Sequence, residues 1–317
     1  MKPNQPSINK NESSQLKGFV LKTVLLIVIV FLLDFTIGTT LKYFYFKQES
    51  GFLYRTTYAI EKTKADVLIF GSSRASRHYN PNIFKDRIHL SCYNVGHDGN
   101  FILYQYAVLS AILKRYHPKL IVLDIARGDF AIRQNDYERL SALLPYYSGH
   151  SEIRPIVQLK SPYEKIKTLS FIYPYNSLLF SIAVGNTEFN KQKMKDIDGY
   201  VPIDKIWTGS MATADSLPNY PMDSIKINTY QSFINDCVSN NIKLVIICSP
   251  YLFKTTNTDN TINLAKAMAV KNNIPFHDFS TDTSFVNKHQ LFADSIHLNN
   301  GGANILSNKV IDKIKPF

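Results

Sequence analysis

The 317-residue sequence contains only three cysteines, Cys92, Cys237 and Cys248. Three cysteines cannot form a closed disulfide framework, and none stands in a Cys-x-x-Cys or Cys/His cluster with the spacing of a zinc site. Each lies in an apolar stretch, which favours a small buried side chain over a reactive thiol. We therefore expect a fold held together by packing, with no metal and no cofactor.

Charged residues are also few, at 19%, whereas hydrophobic residues reach 45%. This balance excludes an intrinsically disordered or coiled-coil chain. Acidic residues are fewer than basic ones: the chain has 25 Asp and Glu and 36 Lys and Arg, which gives a formal net charge of +11. Such a surplus suits a polyanionic neighbour, such as nucleic acid, anionic lipid or an acidic polymer, and does not choose among them.

The N-terminal region changes character at Gly18. Residues 1–17 are polar and predict a disordered tail, whereas residues 18–41 are apolar, include the run TVLLIVIVFLL and are long enough for a transmembrane helix. The following DFTIGTTLKYFYF has no convincing cleavage site and carries aromatic residues suited to a membrane interface. We favour a retained signal anchor, with a cleaved signal peptide and a buried core helix as alternatives.

The rest of the chain has the rhythm of an α/β domain. Residues 42–64 predict a short tether, and residues 65–317 alternate apolar runs of strand length with amphipathic runs of helix length, which is typical of a parallel sheet covered by helices. The predicted strands are 66–70, 92–95, 120–125, 243–248 and 274–279. The predicted helices are 101–115, 227–238, 262–270 and 300–314.

This rhythm breaks down at residues 131–224, which are rich in Tyr, Ser and Pro and have weak periodicity. We interpret this stretch as an insertion. Long segments that leave the carboxyl ends of parallel strands commonly build the substrate site, so we expect the insertion to cap a pocket.

A candidate nucleophile lies where the first predicted strand ends, in ADVLIFGSSRASR at residues 65–77. Gly71 lets the backbone turn tightly, and a serine at the start of the next helix lies beside free backbone N–H groups that can stabilise an oxyanion. The tripeptide alone is a weak signal, because Ser and Gly are common in any strand-to-helix turn and Ser72 or Ser73 serves equally well as an N-cap.

A candidate base lies near the C-terminus, in LFADSIHLNNGGA at residues 291–303. Asp294 precedes His297 by three positions, so its carboxylate can hold one imidazole nitrogen while the other nitrogen faces a serine hydroxyl. An ordinary surface Asp and His is the alternative. The loop position favours function, because polar loop residues more often act chemically than pack.

Together, Gly-Ser-Ser at 71–73 and Asp-x-x-His at 294–297 resemble the first and last motif blocks of the SGNH/GDSL hydrolase superfamily. The pair is far more specific than either motif alone. The resemblance implies a flavodoxin-like, three-layer α/β/α fold with a parallel sheet across residues 65–130 and 225–317.

The resemblance also implies a role for each motif residue. Ser73 matches the family's nucleophile, with Ser72 in the place of the family's Asp. His297 then corresponds to the general base and Asp294 to the carboxylate that orients it. These roles imply a serine hydrolase that acts on ester bonds.

The second block of the family supplies a glycine whose backbone N–H joins the oxyanion hole. NVGHDGN at residues 94–100 looks like this block. We favour Gly99 over Gly96 as the donor.

The third block departs from the family. It normally carries Gly-x-Asn-Asp, but residues 123–130 read LDIARGDF, and Asp129 is only the nearest polar residue. An ionised Asp would repel the developing negative charge. The third donor is therefore open: either Asn100 or a residue of the insertion substitutes, or the site relies on the backbone N–H groups of Gly99 and Ser73.

Three further polar residues lie near the motifs. Arg74 is either a substrate-binding anion anchor beside the nucleophile or a solvated residue of the first helical turn. We expect His78 and His97 to be structural, because the resemblance places the base at His297 and neither belongs to a metal-binding pair.

We expect a single-pass membrane protein that acts as a serine esterase or O-acyltransferase on acyl, most plausibly acetyl, esters of an envelope polysaccharide or glycolipid. The altered third block leaves an alternative, which is a non-catalytic SGNH-like component for envelope assembly or binding. Positive charges nearly balance on the two sides of the span and do not determine its orientation. We expect the C-terminal domain to lie outside the cytoplasm because of the resemblance to anchored relatives.

The expected partners are the acylated substrate, membrane lipid and another membrane protein, and nucleic acid is not expected. The protein partner follows from Asp34, which is costly inside a span unless it lies near the outer interface or faces another helix.

Overall fold

The computed structural model describes residues 10–188, 196–209 and 216–314. At its centre is a wholly parallel, five-stranded sheet with strand order β2-β1-β3-β4-β5. The strands are β1 Val67–Phe70, β2 Cys92–Asn94, β3 Leu120–Asp124, β4 Lys243–Cys248 and β5 Phe276–Asp278. This is the flavodoxin-like doubly wound order, and each strand falls on a predicted one.

Helices cover both faces of the sheet. The α-helices of the described chain are α1 Lys10–Phe46, α2 Gly51–Thr57, α3 Ser73–His78, α4 Pro81–Ile88, α5 Ile102–Leu113, α6 Gln134–Glu138, α7 Arg154–Gln158, α8 Glu164–Lys167, α9 Leu179–Gly185, α10 Ser224–Ser239, α11 Asn260–Lys271 and α12 Asn300–Ile314.

Successive residues of each strand join opposite cores. Leu68 and Phe70 pack with α5, α10 and α11, whereas Val67 and Ile69 pack with α4 and α12. Because both of their faces are buried, β1 and β3 read as continuous apolar runs rather than alternating ones. The predicted fold class, a three-layer α/β/α domain preceded by one long apolar helix, is confirmed.

The N-terminal helix is longer than predicted. Helix α1 begins at Lys10, so residues 10–17 are helical rather than a disordered tail, and the rest of that tail lies outside the described residues. No proline interrupts the chain between residues 10 and 46, and helix therefore propagates past both predicted ends. Among the described residues, α1 is the one helix long and apolar enough to cross a membrane, and a signal sequence has the same features.

Residues 42–64 differ from the predicted tether, because they pack onto the domain. The Tyr45 side chain is buried against Tyr146 and Tyr175. The π-helical turn Tyr58–Lys62 that extends α2 lies against α5. An aromatic run suits a membrane interface and a protein core equally well, so its sequence could not distinguish the two.

The predicted insertion at 131–224 contains, where it is described, the short helices α6 to α9 and the 3₁₀ turns Arg139–Tyr146 and Tyr173–Leu178. Prolines lie inside or at the start of several of these pieces. Since proline removes a backbone donor and clashes with the preceding turn, a helix cannot continue through these positions from the N-terminal side.

Candidate active site

The turn after β1 places the candidate nucleophile at the start of α3. Gly71 has a φ of 146°, and a Cβ at this position would lie 2.7 Å from the Ala75 Cβ and 3.0 Å from the Asp124 Cβ. Only glycine tolerates this backbone and this close approach. Ser72 takes the N-cap position without a capping side-chain hydrogen bond, and Ser73 is the first helical residue.

A closed turn before α12 presents the candidate base. Phe292 and Leu298 form an antiparallel bridge, and the Ala293 N–H donates to the His297 carbonyl at 2.8 Å. Inside this turn, Asp294 Oδ1 accepts hydrogen bonds from the backbone N–H groups of Ile296 and His297, each at 2.8 Å. Both the carboxylate and the imidazole are therefore fixed by the backbone between them.

The structure brings Ser73, His297 and Asp294 into a linear hydrogen-bonded array. Ser73 Oγ lies 2.8 Å from His297 Nε2, and His297 Nδ1 lies 2.8 Å from Asp294 Oδ2. Ionised Asp294 holds the proton on Nδ1, which leaves Nε2 to accept the serine proton. Partial burial alone would raise the pKa of Asp294, but hydrogen bonds from the His297 ring and the two backbone N–H groups lower it.

His78 is a structural histidine that contacts the residue after the candidate base. Its Nε2 accepts a hydrogen bond from the Leu298 N–H at 3.0 Å, so its Nδ1 donates to Ser249 Oγ, also at 3.0 Å. Burial, with the positive charge of Arg74 nearby, lowers the pKa of His78, which stays neutral. The residue thus ties α3 to the segment that follows His297.

His97 is likewise buried and packs against the Phe52 and Tyr104 rings. Burial lowers its pKa to about 3. Its Nδ1 lies 2.6 Å from the Asn100 side-chain nitrogen. His97 is therefore a neutral packing residue that holds the loop after β2.

Arg74 is buried, so the solvated interpretation is wrong. Its Nη2 donates to Ser249 Oγ at 2.7 Å and to the carbonyls of Ser249 and Pro250, and its guanidinium lies 3.7 Å from the centre of the Tyr251 ring. Asp124 at the end of β3 lies 3.9 Å from its Nε. These contacts fasten the start of α3 to the segment after β4, and the role of anion anchor stays a prediction.

A cavity of about 470 Å³ opens beside the array. Its walls come from the segments after β1, β3 and β4, from Ile296 beside the base, and from the insertion. The lining residues are Ser72, Ser73, Arg74, Phe101, Ala126, Arg127, Gly128, Arg133, Leu217, Pro218, Tyr220, Tyr251, Asp259, Ile296 and His297. The cavity thus lies at the carboxyl ends of the parallel strands, next to the topological switch point at β1. Ligands of doubly wound sheets bind at this position.

The predicted oxyanion donors lie around the loop after β2. Gly99 has a φ of 71°, and the Arg139 guanidinium fills the space where a Cβ would stand. The Asn100 amide nitrogen contacts His97 Nδ1 at 2.6 Å and the Asp98 carbonyl at 3.3 Å. Asn100 would have to release these contacts to serve as a donor, and neither it nor Gly99 lines the cavity. Both assignments stay predictions.

Asp129, in the place of the missing third-block Asn, is buried and accepts a hydrogen bond from the Ala126 N–H at 2.8 Å. Burial raises its pKa to about 8. The carboxyl is therefore protonated at neutral pH, and the expected repulsion of a developing negative charge does not apply. The physical reason is desolvation, which sequence alone does not show.

Two residues of this site were missed from the sequence. Ser249 and Tyr251 follow β4 directly and hold Arg74 and His78. The signal that could have found them is their position, since they come just after a predicted buried strand in a parallel sheet.

No protein-family model matches the chain, and no curated protein matches it. Among solved structures, the chain is similar to the psychrotrophic esterase EstA from Pseudoalteromonas sp., with 10% identity, coverage of 78% of this chain and 95% of that chain, and a TM-score of 0.41. It is also similar to the acetyl xylan esterase AlAXEase, with 13% identity, 78% and 100% coverage and a TM-score of 0.39. A third similar structure is TesA, with 12% identity, coverage of 79% of this chain and 98% of that chain, and a TM-score of 0.42. At such values a shared activity does not follow.

Proposed function

We propose that this chain is a membrane-anchored serine esterase or O-acyltransferase acting on acyl esters, most plausibly acetyl esters, of a cell-envelope polysaccharide or glycolipid. The observation that carries the catalytic part is the array in which Ser73 Oγ, the His297 ring and the Asp294 carboxylate are joined by two 2.8 Å hydrogen bonds beside an open cavity. A nucleophile within reach of a base that is itself oriented by a third group is the arrangement that acyl transfer requires.

In the proposed first step, Ser73 Oγ attacks the ester carbonyl carbon while its proton passes to His297 Nε2. The resulting oxyanion accepts a hydrogen bond from the backbone N–H group of Ser73, and Gly99 is the second donor that the resemblance implies. When the intermediate collapses, the carbon–oxygen bond to the alcohol breaks and the alcohol leaves with the proton from His297. The acyl group is then bound to Ser73 Oγ as an ester.

The second step repeats the first in reverse with a different acceptor. His297 takes a proton from water in a hydrolase, or from a sugar hydroxyl in a transferase, and the acceptor oxygen attacks the acyl-serine carbonyl. The Ser73 Oγ leaves and regains its proton. The chemistry of the triad is the same for both acceptors, so the acceptor defines the activity.

The envelope setting is supported by the apolar helix α1 and by the surplus of positive charge. Helix α1 exposes its most apolar stretch, as a helix in lipid does. The net charge of +11 favours anionic polymers or lipids near the membrane. We place the domain outside the cytoplasm, where such polymers lie.

The full chain in detergent, assayed on a chromogenic acetyl ester and on an acetylated polysaccharide, tests this proposal. We expect hydrolysis or transfer of acetyl groups, with turnover lowered by several orders of magnitude in His297→Ala, because the triad base is lost. His289→Ala, an alanine replacement of a histidine outside the array, is the matched control and should keep activity. Equal activity in both variants would refute His297 as the base.

A non-catalytic envelope component is the second candidate, and the missing Asn of the third block favours it. Under this alternative the array would be a remnant of the fold and would turn over no ester. An intact chain that binds acetylated polysaccharide but releases and transfers no acetyl group would establish it.

A further inference from the structure

The insertion carries a group of large apolar side chains that are exposed to solvent. Leu169 and Phe180 are the most exposed, at 77% and 80%. The others of this group are Tyr163, Ile166, Phe171 and Leu179. All six lie between residues 163 and 180, and such a concentration of exposed apolar surface marks an interaction site.

This segment is fastened to the candidate span through Asp34. The Asp34 carboxylate accepts hydrogen bonds from Ser170 Oγ at 2.6 Å, from the Phe171 N–H at 2.7 Å and from the Ile172 N–H at 3.1 Å. The acidic residue that looked costly inside the span thus has its partners within this chain.

Aromatic contacts reinforce the attachment. The Phe171 ring meets those of Phe31 and Phe35 edge-on, with centroids 6.3 and 5.1 Å apart. A Cβ at Gly38 would lie 2.3 Å from the Phe171 carbonyl carbon, so glycine is required for this close approach. Phe31, Phe35 and Gly38 all belong to the apolar stretch 18–41.

The attachment lies well inside that stretch. Asp34 comes seven residues before its end at Leu41, which corresponds to a depth of roughly 10 Å at 1.5 Å per residue. Interfacial elements bury their apolar face about 5 to 10 Å into the headgroup and acyl boundary. A segment held at Asp34 therefore cannot avoid the lipid if α1 spans the membrane.

Backbone groups at such a depth must be paired within the protein. The Leu169 N–H donates to the Ile166 carbonyl and the Ser170 N–H to the Lys167 carbonyl, both at 3.1 Å. The next two N–H groups, of Phe171 and Ile172, are those bound by Asp34. The backbone donors of residues 169–172 thus have the partners that lipid requires.

We propose that residues 163–180, the membrane-contacting segment, insert into the lipid leaflet at the C-terminal end of α1 and give the domain a second attachment to the bilayer. The occupant of the exposed apolar surface is lipid acyl chain, because the surface is continuous with the span. This inference rests on the proposed membrane anchor. With two attachments to the bilayer, the α/β domain keeps a fixed orientation relative to the membrane.

Fluorescence quenching by brominated lipid tests the proposal. Trp207 is the one tryptophan of the chain, so Trp207→Phe gives a silent background into which Leu169→Trp or Phe180→Trp is introduced. Val270→Trp, at an exposed apolar position on α11, is the matched control, and Val28→Trp reports insertion of the span. The full chain is reconstituted in phosphatidylcholine vesicles with and without acyl-chain bromination.

We expect bromination to quench the variants at 169 and 180 several-fold more than the variant at 270, and about as strongly as the one at 28. Quenching at 169 and 180 no greater than at 270 would overturn the segment's insertion if the variant at 28 is quenched. An unquenched variant at 28 would overturn the anchor and this inference with it. Ester hydrolysis measured on the unsubstituted chain in the same vesicles reports the catalytic proposal separately.

A second pair of variants tests the attachment itself. Asp34→Ala removes the acceptor of three hydrogen bonds, so we expect the quenching at position 169 to fall at least two-fold. Thr40→Ala is the control, because Thr40 Oγ1 donates to the Thr36 carbonyl of its own helix. Unchanged quenching in Asp34→Ala would contradict the role given to Asp34.

Discussion

Asp294 is the residue of the proposed triad whose role the geometry defines most narrowly. Its Oδ1 accepts two backbone N–H groups, and its Oδ2 faces His297 Nδ1. A carboxylate fixed in this way both orients the ring and keeps its proton on Nδ1. With an amide in its place, the oxygen could still accept the backbone N–H groups, whereas the hydrogen bond with the ring would reverse its direction.

We therefore predict that Asp294→Asn leaves the fold intact and lowers kcat by roughly 10⁴-fold, because the amide NH₂ stabilises the imidazole tautomer that cannot accept the serine proton. Steady-state kinetics on an acetyl ester measures the effect, with circular dichroism as the check on folding. Ser295→Ala, at the exposed neighbouring position, should retain nearly full activity. A loss of less than ten-fold in Asp294→Asn would contradict the orienting role.

At the residue scale, the sequence could predict the two motifs but not the network beneath them. Ser73 and His297 carry recognisable neighbours, whereas the contact of Arg74 with Ser249 depends on which strands the sheet brings together. Strand β3 lies between β1 and β4, and strand order is not encoded locally. The raised pKa of Asp129 could not be predicted for a related reason, since burial is a property of the folded chain.

At the element scale, β1 and β3 were predictable because each is an apolar run buried on both faces. Helix α4 was overlooked although Asn80 caps it and Pro81 occupies its first turn, which are ordinary start signals. The end of α1 was predicted wrongly because neighbouring aromatic residues differ in burial. Tyr43 is exposed, whereas Tyr45 is buried.

The end of α1 gives a prediction about stability. Tyr45→Ala removes a buried ring and the hydrogen bond between the Tyr45 and Tyr146 hydroxyls, which are 3.0 Å apart. We expect the free energy of unfolding to fall by about 3 to 5 kcal/mol, the range for truncation of a large buried aromatic side chain. Chemical denaturation of the full chain in detergent measures the change.

Tyr43→Ala provides the control for this prediction, because the Tyr43 ring is exposed. Substitutions at exposed sites usually change stability by no more than about 0.5 kcal/mol. If residues 42–64 were a loose tether, the two variants would be equally stable.

At the scale of the whole molecule, an envelope substrate requires that the α/β domain lies on the far side of the membrane from the N-terminus. The positive charges near the two ends of the apolar stretch 18–41 do not decide this, since Lys10, Lys17 and Lys22 lie towards its N-terminal end and Lys42 and Lys47 follow it. The orientation therefore needs a direct measurement.

We predict that alkaline phosphatase fused after Phe317 is active in a bacterial host, because this enzyme folds only after export. β-Galactosidase fused at the same position should be inactive. The fusion point at the C-terminus leaves α1 and the contacts of residues 42–64 intact. The reverse pattern would place the domain in the cytoplasm and would exclude an envelope polysaccharide as its substrate.

The central claim is that Ser73 is a nucleophile activated by His297, and covalent labelling tests it most directly. The full chain in detergent is treated with a fluorophosphonate, and peptide mass spectrometry locates the adduct. We predict one adduct, on Ser73 Oγ, that is lost in Ser73→Ala and retained in Ser72→Ala. Labelling that persists in Ser73→Ala, or that disappears only in Ser72→Ala, would contradict the account.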